Sequence, residues 1–147
     1  MKLLLPLATL ALAGGLFFLQ AADNAVKPLR VLIVDDEPSI RQLLATLLTL
    51  EGYAVRTAPD GRDALEQLLA DTPDVVISDV RMPHMTGYEL LTTVRSNPAL
   101  DKLRFILLAS YADGVGADSA VALADACLSK PFTRDVLLST MRALQTN

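Results

Sequence analysis

The chain predicts an α/β fold: a doubly wound, five-stranded parallel sheet with helices on both faces. Three features of the sequence predict it. Short apolar runs of strand length alternate with amphipathic segments from Leu29 to the end of the chain, the pattern of a parallel sheet covered on both sides. The first of these runs, Leu29–Val34, is rich in β-branched residues, which favour strands. Asp35, Asp79 and Lys130 close three of the runs, and ligand sites in such sheets lie beyond the carboxyl ends of the strands.

The elements follow in order. Leu29–Val34 is the first strand. Asp35-Asp36-Glu37-Pro38 opens a helix, since acids suit a helix N-terminus and Pro suits its first turn. Ile40, Leu43, Leu44, Leu47 and Leu48 then recur at helical spacing, and Gly52 ends the helix. Tyr53–Ala58 is the second strand. Asp60-Gly61 marks a turn, and Ala64, Leu65, Leu68 and Leu69 stripe the second helix. Asp74–Asp79 is the third strand, Pro83 and Gly87 bracket a loop, and a helix runs from Gly87 to Arg95, closed by Asn97-Pro98. Leu103–Ser110 is the fourth strand and Ala126–Ser129 the fifth. The segment Ala112–Ala124, with Gly114 and Gly116, predicts only a short or loosely set helix. A last helix runs from Thr133 to Leu144.

The N-terminal 22 residues stand apart. Leu3–Leu19 carries no charge, Lys2 precedes it and small residues follow. This resembles a secretory signal, and it also suits a membrane anchor, since about 20 apolar residues span a bilayer. Residues 3–22 are therefore a candidate membrane-associating segment, 23–28 a linker and 29–147 the folded domain. Lys27, Arg30 and Arg41 lie beyond the apolar stretch and favour a cytoplasmic C-terminal side for an anchored form.

Composition narrows the function. With 147 residues, 52% of them hydrophobic and 20% charged, the chain has room for one domain with a proper core. A net charge of −4 gives no basic surface for nucleic acid. The single cysteine, Cys127, excludes an intrachain disulfide and a cysteine-based zinc site, and the single histidine, His84, argues against a histidine-rich metal site.

Asp35 and Asp36 follow the first strand, Asp79 ends the third and Lys130 follows the fifth. Strands one and three are neighbours in a doubly wound sheet, so three carboxylates converge at one edge. Such crowding is costly unless a cation neutralises it, and Mg2+ takes oxygen ligands with few carboxylates. A carboxylate beside a metal and a lysine is a nucleophile towards a phosphoryl group, and the lysine can hold the product phosphate.

Val34-Asp35-Asp36-Glu37-Pro38, then Ser78-Asp79-Val80-Arg81-Met82-Pro83-His84-Met85-Thr86-Gly87, then Ser129-Lys130-Pro131-Phe132 resemble the receiver domains of two-component response regulators. The resemblance covers about Leu29 to Asn147. It implies the flavodoxin-like (βα)5 fold with strand order 2-1-3-4-5. It also implies that Asp79 accepts a phosphoryl group from a histidine kinase or a histidine phosphotransfer protein. Asp35 and Asp36 would bind Mg2+ with Asp79 and the backbone carbonyl of Arg81. Lys130 would pair with the phosphate, with a cis bond to Pro131, and Gly87 would permit the tight loop after strand three. The output would pass to a separate protein, and homodimerisation is compatible with the family.

The family also carries a Ser or Thr at the end of strand four that contacts the phosphate. Counting from Asp79 puts Ala109 there, with Ser110 one residue later. Either a local shift lets Ser110 serve, or the hydroxyl is missing. Cys127 stands at the family's switch aromatic and reads as a small buried hydrophobe. Leu123 stands where the family usually has Gly. His84 reads as an exposed loop residue, and Phe132 and Tyr111 as packing residues. These departures keep a second reading open, a degenerate receiver that binds or dimerises independently of phosphate. A third is a Mg2+-dependent phosphatase with an aspartyl nucleophile, but Arg81 stands where such enzymes place a second acid. Because kinase phosphodonors are made in the cytoplasm, an anchored or adventitious leader is preferred over a cleaved export signal.

Overall fold

A computed structural model describes residues 26–110, 113 and 119–146. The leader, residues 23–25 of the linker, Tyr111 and most of the segment before Ser119 lie outside the described residues. The elements are β1 (Arg30–Val34), α1 (Pro38–Leu50), β2 (Ala54–Ala58), α2 (Gly61–Ala70), β3 (Val75–Asp79), α3 (Gly87–Ser96), β4 (Arg104–Ala109), a 3-10 helix (Ser119–Leu123), β5 (Ala126–Ser129) and α4 (Arg134–Gln145). No helix among the described residues is long and apolar enough to cross a membrane.

All four strand pairings are parallel, and the order is β2-β1-β3-β4-β5. Side chains alternate across the sheet, so it has two cores. Leu32, Val34, Val76, Phe105 and Leu107 meet Ala64 and Leu68 of α2 and Leu90, Leu91 and Val94 of α3. Val31, Ile33, Val75, Ile77, Ile106 and Leu108 meet Leu44 and Leu48 of α1 and Leu137, Leu138 and Met141 of α4. The three central strands are buried nearly throughout, which is why their sequences read as continuous apolar runs rather than alternating ones.

Tertiary context shifts several boundaries and faces. Leu29 and Tyr53 stay outside β1 and β2 but pack against the core, and Ser110 falls outside β4. Asp60 is not a free turn residue: its carboxylate accepts from the Asp63 amide at 2.8 Å and caps α2. Thr133 caps α4 through the Val136 amide rather than belonging to it. Gly52 has φ of 95°, the left-handed conformation that ends α1. Leu43 and Leu69, expected on the inner stripes, face outward at 61% and 58% exposure. The expected short helix before β5 survives among the described residues as the 3-10 helix alone.

Cys127 is a clear correction. It is exposed, not buried. β5 is an edge strand on which only Leu128 is buried, turned towards the α4 side. Cys127 points to the opposite face of this edge strand.

Thr86 begins α3 with a reciprocal cap: its hydroxyl accepts from the Glu89 amide (3.1 Å), and the Glu89 carboxylate accepts from the Thr86 amide (3.0 Å). Thr86→Ala is expected to lower stability by about 1 kcal/mol, read as a shift of the urea midpoint at unchanged slope.

Candidate functional site

The carboxyl ends of β1 and β3 bring three acids together. One carboxylate oxygen from each of Asp35, Asp36 and Asp79 lies within 4.8 Å of the others. Asp35 and Asp79 are 2% and 8% exposed, whereas Asp36 is open to solvent. The Lys130 ammonium, arriving from the end of β5, donates to Asp79 Oδ1 at 2.7 Å. The Val80 amide donates to the same oxygen at 2.9 Å. Asp79 Oδ2 is left without a hydrogen bond among the described residues, as the oxygen available for chemistry.

Asp35 Oδ1 accepts from the Glu37 amide at 2.9 Å, while its buried Oδ2 accepts no hydrogen bond. A buried, unpartnered carboxylate oxygen is costly. Beside two further carboxylates it fits a divalent cation with oxygen ligands. Burial pushes the Asp35 carboxyl above its ordinary value; the Glu37 amide opposes this, and the Asp79 charge adds to it. Ionised Asp35 therefore opposes folding. That cost is absent below the unfolded pKa and is complete once pH has risen past the raised folded value. Asp35→Asn is expected to raise the Tm of the metal-free protein at neutral pH. It should also cancel most of the rise in Tm that a divalent cation gives the unaltered protein; a full metal-induced rise in the variant would contradict the site.

The loop after β3 is held close. The Gly87 amide donates to Val80 O at 2.8 Å, and a Cβ on Gly87 would stand 2.2 Å from Asp79 O. The Lys130-Pro131 bond is cis, as the resemblance implies. His84 is an exposed loop residue with φ of 69°. Phe132 packs, half-buried, against the α1/α4 core. An apolar groove of 580 Å³ opens beside Lys130, between α1 and the start of α4, and is lined by Ile40, Leu43, Leu47 and Phe132.

The end of β4 departs from expectation. Asp79 is in register with Leu108, and the Lys130 amide donates to Ala109 O at 2.8 Å, so Ala109 lies at the site without a hydroxyl. The Ser110 hydroxyl and amide both donate to Asp113 Oδ2, at 2.9 and 2.6 Å. Arg81 Nε lies 2.7 Å from Asp113 Oδ1. Asp113 escaped the sequence reading because it sits among glycines and alanines in a segment with no periodicity. Its one local sign is the Ser110-x-x-Asp113 spacing of a capping box, in which the acid reaches back to the serine amide.

The family model for the response regulator receiver domain matches residues 31–142. The chain belongs to that family. It is 41% identical over 119 residues to response regulator MprA of Mycolicibacterium vanbaalenii, covering 80% of this chain and 50% of the relative. The receiver thus spans about half the length of such relatives. Among solved structures it resembles the Vibrio cholerae chemotaxis protein CheY4, with a TM-score of 0.71 and 37% identity over 79% of this chain and 98% of the other. It also resembles the response regulator TrrA of Thermotoga maritima, solved with Mg2+ and beryllofluoride, with a TM-score of 0.72 and 35% identity over 79% and 98%. TrrA has further been solved in complex with the histidine kinase ThkA. The receiver is a phosphoaccepting module of two-component signalling, a role distinct from that of a turnover enzyme.

Proposed function

We propose that Asp79 is the phosphoacceptor, taking its phosphoryl group from the phosphohistidine of a histidine kinase or phosphotransfer protein. The single observation carrying this reading is the Asp79 carboxylate: buried at the end of β3, bonded on one oxygen by Lys130, and within 4.8 Å of Asp35 and Asp36. Asp79 Oδ2 forms the new P–O bond as the P–N bond breaks, and the electron pair leaves on the imidazole nitrogen, which takes up a proton. Asp35, Asp36, Asp79 and the Arg81 carbonyl would hold Mg2+, which offsets charge on the phosphoryl oxygens. Lys130 exchanges its bond to Asp79 for one to the transferred phosphoryl group. Attack of water on phosphorus later breaks the P–O bond to Asp79, releasing inorganic phosphate and the free carboxylate, so the receiver catalyses only its own phosphorylation and dephosphorylation.

The apolar groove beside Lys130 supports a protein phosphodonor, and the TrrA–ThkA complex supports a kinase. Leu43→Glu, at an exposed apolar position on the groove, is expected to slow transfer from a cognate kinase about tenfold or more. Labelling by a small acyl phosphate should stay within about twofold. The cytoplasmic origin of kinase phosphodonors supports a cytoplasmic receiver, and the uncharged run Leu3–Leu19 supports a membrane tether.

The deciding experiment is incubation with radiolabelled acetyl phosphate with and without Mg2+. A Mg2+-dependent, hydroxylamine-labile label on the peptide containing Asp79 is expected. No label at saturating Mg2+ would overturn the reading in favour of a phosphate-independent receiver. That alternative is favoured by one observation, the engagement of the Ser110 hydroxyl by Asp113 beside a hydroxyl-free Ala109.

A further inference from the structure

A transferred phosphoryl group needs donors for its oxygens. Lys130 is one, and Ala109 cannot supply another. Two more donors leave the site on the segments that flank it. Arg81 is two residues past Asp79, and Ser110 follows Ala109, whose carbonyl is bonded by the Lys130 amide. Both are taken by the same carboxylate. Asp113 Oδ2 accepts the Ser110 amide and hydroxyl, and Asp113 Oδ1 faces Arg81 Nε at 2.7 Å.

The Asp113 side chain is 2% exposed, against 67% for Arg81. The Asp113 carboxylate is thus faced by hydroxyl, amide and guanidinium donors, the set that suits a phosphoryl oxygen. The Arg81 side differs from the Ser110 side. Asp113 Oδ1 is reached at 2.7 Å by a guanidinium whose side chain is largely in water. Such a contact is the easier of the two to exchange for another anion.

We infer that Asp113 is a positioning residue that stands in for the phosphoryl group before transfer, occupying Ser110 and Arg81 until a phosphoryl group on Asp79 competes for them. The inference rests on Asp79 being the acceptor. It assigns Ser110 a role despite its one-residue offset: the hydroxyl is present but already engaged. Phosphorylation would then free Asp113 and release the tie between the β3–α3 loop and the β4–β5 crossover.

The test is beryllofluoride affinity at saturating Mg2+, with Tm recorded for each variant. Asp113→Ala is expected to bind about tenfold more tightly than the unaltered protein, as freeing charge-assisted donors predicts. Ser110→Ala combined with Asp113→Ala should lose most of that gain, and Arg81→Ala alone should bind more weakly. A merely structural Asp113 would lower Tm and weaken binding together. Asp113→Asn, which keeps an acceptor for the Ser110 amide but drops the charge facing Arg81, covers a failure of the alanine variant to fold and should also bind more tightly. Equal or weaker binding by folded Asp113→Ala or Asp113→Asn, with the unaltered protein binding, overturns the inference and leaves the acceptor reading intact. No binding by the unaltered protein or any variant overturns both.

Discussion

Asp79→Ala is expected to reduce phosphoryl incorporation from a small acyl phosphate to background, a loss of more than about a hundredfold, in a protein that remains folded. The size follows from the chemistry: the substitution removes the nucleophile itself rather than a group that assists it. No neighbour takes over. Asp35 is buried with one oxygen held by the Glu37 amide, and Asp36 lies out in solvent. The fold tolerates the change because Asp79 contributes like-charge crowding more than packing. Its ion-pair partner among the described residues, Lys130, keeps 31% of its side chain exposed and can rehydrate. Phosphate counting and circular dichroism on the same sample check both halves. Labelling of the variant at the level of the unaltered protein would move the acceptor elsewhere.

Gly87→Ala is expected to lower stability by about 3 kcal/mol or more, the upper end of what one added methyl group costs. The new Cβ would meet Asp79 O at 2.2 Å, and Asp79 C and Val80 Cα at 3.0 Å. All three are backbone atoms at the end of a fully buried strand, so none can rotate aside. α3 would have to retreat from β3, breaking the bond from the Gly87 amide to Val80 O. With a urea slope of about 1–3 kcal/mol per M, the midpoint should fall by roughly 1 M or more. Phosphoryl uptake should fall with it, because the displaced backbone carries Asp79, the proposed acceptor. A loss below about 1 kcal/mol would mean that the loop relaxes freely.

Gly61 offers an internal contrast. A Cβ there would meet Met85 Cβ and Cγ at 2.8 and 2.9 Å. Met85 Cβ is fixed by its own backbone and cannot rotate aside, but that backbone belongs to the loop after β3 rather than to a strand. Proximity alone does not set the cost; the stiffness of what is met does.

Much of this receiver was legible in its residues. The runs Leu29–Val34, Asp74–Asp79 and Leu103–Ser110 marked the three central strands, because burial on both faces keeps most polar residues out of them. The acids and Lys130 marked the site, because the ends of parallel strands gather at one edge whatever the details of packing. Asp35, Asp36, Asp79 and Lys130 could therefore be placed together from order and spacing alone.

The rest depended on contacts between residues far apart in the chain. The exposure of Cys127 follows from what covers β5, and the outward turn of Leu43 from how α1 lies on the sheet. Ser110 shows the difference most plainly. Counting along the chain left its hydroxyl either at the phosphate position or absent from it. The fold assigns it to Asp113, with Arg81 on the carboxylate's other oxygen. Local pattern decides which residues reach the edge of the sheet; which partner each one takes there is set by register and loop packing, and those exist only once the chain has folded.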